Sequence, residues 1–159
     1  MATAKWVQPV VIALIGAAAV VVAAVLTRSP PPRQLPEGHV LSPAAGDTVS
    51  TAFRATGDFA NIPSGHHVWL AVEVGNLLWF KEPEIPAAGR QWSREIVHGA
   101  GGGPFALCLV EVSAAGQRAV ESWLRTGQRT GSYPGLRDQD VPGMARLAVV
   151  GRLVASGRD

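Results

Sequence analysis

The chain has 159 residues, enough for one domain with a short appendage and too few for a multidomain machine. Apolar residues make up 47% and charged residues 16%, which excludes intrinsic disorder of the whole chain. The net charge of +2 arises before residue 38, where Lys5, Arg28 and Arg33 outnumber Glu37; after it, acids and bases balance.

Nucleic acid is not an expected partner, because phosphate binding needs clustered Lys or Arg and here the arginines are dispersed along the sequence. Cys108 is the lone cysteine, which rules out an internal disulfide or a multi-cysteine zinc site.

Residues 10–26 are an unbroken apolar run, led in by Trp6, Val7, Gln8 and Pro9. As a helix, residues 6–26 span roughly 31 Å, about the hydrocarbon thickness of a bilayer. Residues 1–28 therefore read as a transmembrane anchor that meets lipid through residues 7–26. Lys5 and Trp6 suit one interface, and Arg28 and Arg33 the other.

A cleaved secretory signal would have a shorter apolar stretch and a small-x-small end, whereas this run ends Val25-Leu26-Thr27-Arg28. An uncleaved single-pass anchor in the cell membrane is the expectation. Flanking charges nearly balance, so the short head and long tail decide the orientation, with the distal domain extracytoplasmic.

Residues 29–37 are proline-rich, with Pro30, Pro31, Pro32 and Pro36. In polyproline II geometry they reach about 25–30 Å, which fits a standoff and a plain linker equally well.

Residues 38–159 read as one β-sandwich domain. Residues 47–57 alternate Val49, Thr51, Phe53 and Ala55 on one face. Residues 66–75 place Val68, Leu70 and Val72 opposite Trp69 and Ala71. Further strands are expected over 77–81, 91–98, 104–112 and 145–155, separated by turns rich in Gly, Pro and Asp. Residues 113–126 instead carry Ala115, Ala119, Val120, Trp123 and Leu124 at helical spacing, with Gly127 as the stop. That helix should pack Val120, Trp123 and Leu124 onto a sheet. Residues 126–143 are polar and read as an exposed loop.

Val40-Leu41-Ser42-Pro43 leading to Gly46, Val49 and Gly57; Ile62-Pro63; His67-Val68-Trp69-Leu70-Ala71-Val72; Gly89 to Trp92; and Gly103-Pro104-Phe105 through Val110 follow one another in an order with a familiar look. Together they resemble an immunoglobulin-like domain of bacterial membrane-linked proteins. The resemblance implies a mainly β immunoglobulin-like sandwich with one inserted helix, an accessory role without catalysis, and no site residues.

Chemistry-bearing motifs are sparse. His66 and His67 should point to opposite faces of a strand and so cannot easily share a metal ion, and no metal or cofactor is expected. His98 and the glycines after it look like an esterase oxyanion loop, yet no G-x-S-x-G follows. Gly101, Gly103 and Ala106 also read as G-x-G-x-x-A, but Pro104 and a strand follow the glycines where a dinucleotide site needs a helix. No catalytic residue is assigned, and the chain is not expected to be an enzyme.

Trp69, Trp79, Phe80 and Trp92 are the candidate binding residues. They form either an aromatic patch that anchors a partner or the ordinary core of a sandwich. The expected function is a membrane-anchored module that binds a protein or an envelope glycan near the bilayer. The alternative is a ligand-free accessory subunit that packs against another membrane protein, helped by Gly16, Ala17, Ala18 and Ala19 in its helix.

Overall fold

The structure, a computed structural model, describes residues 34–98 and 103–156. The expected membrane helix, the proline run before Gln34 and the glycines at 101 and 102 lie outside the described residues. Among those described, no helix is long and apolar enough to cross a membrane.

Alternating apolar residues between turn formers make eight strands: β1 (Glu37–Ser42), β2 (Thr48–Ser50), β3 (Ala52–Ala60), β4 (His67–Val74), β5 (Leu77–Ile85), β6 (Gln91–Val97), β7 (Phe105–Val112) and β8 (Met144–Ser156). One helix, α1 (Ala114–Thr130), separates β7 from β8. The strands form a three-stranded sheet, β1-β3-β6, and a five-stranded sheet, β2-β8-β7-β4-β5. The segment from Gln34 onward is one compact unit with its own core.

The expected strand over 47–57 is in fact two. β2 pairs in parallel with β8, while β3 pairs antiparallel with β1 and β6, so the chain changes sheets at Thr51. Alternation reports which face a residue takes and not which sheet it joins, so the switch leaves no periodic trace.

Between the sheets lie Phe53, Ala55 and Phe59 of β3, Val68, Leu70 and Val72 of β4, Trp92 and Ile96 of β6, and Leu107 and Leu109 of β7. The opposite side of the five-stranded sheet carries Trp69, Ala71, Phe80, Cys108 and Val110. There α1 sets down Val120, Trp123 and Leu124 as expected. Burying each Val, Leu, Ile or Phe side chain among these contributes roughly 1.5–3 kcal/mol. The order of layers is therefore three-stranded sheet, five-stranded sheet, helix.

α1 begins where Ser113 Oγ accepts from the Gly116 amide, at 3.3 Å. It runs four residues past the expected end. Gly127 is not the stop: it lies inside the helix, where a Cβ would come within 2.1 Å of the Tyr133 ring. The stop is Gly131, at φ 71° with its N–H bonded to the Gly127 carbonyl.

The expected loop over 126–143 is likewise replaced by structure. After α1 the chain folds back as a strap, exchanging two backbone hydrogen bonds between Leu136 and Leu78 of β5, at 2.7 and 2.9 Å. It then makes a 3-10 turn at Asp138–Asp140 and buries Val141. Two indoles hold it: Trp123 donates to the Pro134 carbonyl at 2.7 Å and Trp79 to the Tyr133 carbonyl at 2.8 Å. Polar composition hid a segment whose anchors are its own backbone acceptors.

Candidate functional site

The four aromatic candidates do not make a surface. Trp69 and Phe80 are each 4% exposed, in contact near right angles with centroids 6.2 Å apart beneath α1. Trp92 is 6% exposed and faces the other sheet. Trp79 is half-buried under the strap. The expectation of an aromatic patch is corrected, because Trp92 lies between the sheets, Trp69 and Phe80 lie beneath the helix, and Trp79 lies beneath the strap.

Polar side chains in and around the interior are turned toward one another. The Trp69 indole donates to Gln117 Oε1 at 2.8 Å, Gln117 Nε2 donates to Glu84 Oε2 at 3.0 Å, and Glu84 Oε1 meets His67 Nδ1 at 2.7 Å. His66 pairs instead with Glu111, a buried carboxylate that alternation with Leu107 and Leu109 directs between the sheets. The adjacent histidines thus serve separate partners. Among the described residues no three His, Cys, Asp or Glu side chains gather where one metal ion could bind them.

A second network joins β4, β8 and the strap. Arg146 grips Glu73 with two hydrogen bonds, at 2.7 and 2.9 Å, and reaches Asp138 at 2.8 Å. These bonds hold the Glu73 carboxyl below its ordinary range against the opposing effect of burial, and raise the Arg146 guanidinium above its own. Cys108 lies 3.5 Å from Glu73; burial first, then the Glu73 charge, push its thiol up to about 12. Such a thiol stays protonated and is a poor nucleophile.

Three of the four sheet edges, β6, β5 and β2, are blunted as well. Alternate residues of β6 turn their backbone outward, and two of those carbonyls are already occupied: Lys81 Nζ donates to Val97 O at 2.9 Å and Arg94 Nη1 to Ser93 O at 3.2 Å. Arg94 also bonds the Glu84 carbonyl of β5, which stitches the two neighbouring edges together. Lys81 is held below its ordinary pKa by this burial. The strap covers β5 at Leu78, and β2 is three residues long. Cationic caps and short strands are how sheets avoid pairing with other chains.

The outer face of the three-stranded sheet is uncovered. It presents His39 bonded to Asp58 at 2.7 Å, Arg54 opposite Glu95, and Thr56 opposite Ser93. Leu41 and Val97 flank this polar field, each 65% exposed. Beside Leu41 lies a recess of about 400 Å³, lined by Leu41, Thr56, Gly57, Gln91, Trp92 and Ser93; Val97 stands further along β6, opposite Ala52. Of the predicted residues only Trp92 borders it. Leu41 and Val97 were missed, and the signal was present: each stands where the period-two pattern gives its neighbours on that face a polar side chain.

No family model matches the chain, and comparison with curated proteins and with solved structures likewise finds no match.

Proposed function

We propose that the chain is a membrane-tethered, non-catalytic recognition module of immunoglobulin-like architecture that binds a protein partner through the outer face of its three-stranded sheet. One observation carries this reading: the uncovered sheet face bears two exposed large apolar residues, Leu41 beside a recess and Val97 further along β6, in a field of hydrogen-bonding groups. A few exposed apolar anchors within a polar rim are the usual makeup of a protein interface.

The strand order supports the immunoglobulin-like reading, with the leading strand divided between the sheets as β1 and β2 and an added edge strand, β5. Two features set this domain apart within that architecture. It has no cystine between its sheets, and the tryptophan in its inter-sheet core comes from β6 while that of β4 faces the helix.

The test is site-specific photocrosslinking in cells that express the full chain, with a benzoylphenylalanine at Thr56. The reading expects a discrete protein adduct that Leu41→Asp abolishes. A chain that gives no adduct from Thr56, or an adduct indifferent to Leu41→Asp, would contradict it.

A further inference from the structure

The solvent side of α1 carries a feature that packing does not require. Its buried face consists of Gly116, Gln117, Val120, Trp123, Leu124 and Gly127. At 3.6 residues per turn, Arg118, Arg125 and Arg129 fall within about 40° of one another on the opposite side of the helix. All three are exposed, and Ser122 completes the line. From Arg118 to Arg129 the ridge runs roughly 16 Å along the outermost layer of the molecule.

Helix electrostatics account for one of these residues only. Arg129 sits in the last turn, where a cation suits the helix dipole; Arg118 stands near the opposite end, where it does not, and the first turn holds no acid. The lone acid of the helix, Glu121, is 3.7 Å from Arg125. Among the described residues no carboxylate is within ion-pair distance of Arg118 or Arg129. By contrast Arg146 has two carboxylates and Arg94 two carbonyls.

We propose that this arginine ridge is a docking surface for the anionic headgroups of a lipid bilayer. A row of exposed arginines along one face of the outermost helix complements a planar anionic surface, and each guanidinium fork can take two phosphate oxygens. The partner's identity rests on the tethered reading above, since a bilayer anchor would keep headgroups at high effective concentration. With the ridge on lipid, the three-stranded sheet, on the far side of the five-stranded one, faces away from the bilayer.

The test uses residues 34–159 without the anchor, so that its failure is separate from failure of the tether. Sedimentation is measured with vesicles of phosphatidylcholine alone or mixed equally with phosphatidylglycerol. The domain is expected to bind the mixed vesicles and to be released by salt. Each Arg→Gln change at 118, 125 or 129 should weaken binding roughly fivefold, and the triple change on the order of a hundredfold, with an unaltered circular dichroism spectrum. Equal binding of the triple variant and the parent would overturn the proposal. So would binding to soluble polyglutamate with none to either vesicle, which would make the ridge a site for an acidic protein.

Discussion

Cys108, Glu73, Arg146 and His98 show how burial and charge act together on single side chains. With its thiol pushed up to about 12 and fully buried, Cys108 should resist iodoacetamide at pH 8 until denaturant is added, and labelling of the folded protein at the rate of a free thiol would contradict the account. Glu73 and His98 are both held below their ordinary values, Glu73 by hydrogen bonds from Arg146 and His98 by burial and the nearby Lys81 charge. Each therefore binds fewer protons folded than unfolded, and stability falls as pH drops, for His98 from about 6.5 downward and for Glu73 from about 4.5 downward. Urea unfolding across this range should show two declines, and His98→Asn should remove the upper one alone. Arg146→Gln should cost about 1.5–3 kcal/mol, because it leaves Glu73 without its charged donor. These networks were not legible in the sequence: Glu73, Cys108, Asp138 and Arg146 are brought together by register and by the strap, and nothing in their spacing announces it.

At the scale of elements, the strands and the helix were legible because period two and period 3.6 are properties of consecutive residues. Their ends and partners were less so. Gly127 looked like a helix stop because glycine usually is one, yet it serves here to admit the Tyr133 ring, and Gly131 ends the helix. Gly131→Ala should cost about 1 kcal/mol through its positive φ, as measured by thermal unfolding, and an unchanged midpoint would contradict the cap. The capping of β6 by Lys81 and Arg94 makes a different prediction. Replacing both with alanine frees carbonyls on an exposed edge, so the detached domain should self-associate at lower concentration in sedimentation velocity than its parent. Identical behaviour of the two would show that the caps have no protective role.

At the scale of the whole molecule, a three-layer stack leaves two outer surfaces of different character, one polar with two apolar anchors and one lined by arginine. The chain marked Leu41 and Val97 as apolar residues out of pattern, but it did not show which residues would share a surface. The arginines are dispersed in sequence, but one helix gathers three of them onto a single line; Leu41 and Val97, 56 residues apart, meet on one face only through the pairing of β1, β3 and β6. The aromatic residues that seemed the best anchors were instead consumed by the two internal interfaces, as the volume of tryptophan and phenylalanine makes usual in small cores. The proposed tether, a lipid-spanning anchor in residues 1–28 carrying a separately folded domain, is put to the test by alkaline carbonate extraction of cell membranes. The full chain should remain in the membrane pellet while residues 34–159 expressed alone are released; a full-length chain found in the carbonate supernatant, or a mature chain that has lost its first residues, would contradict it.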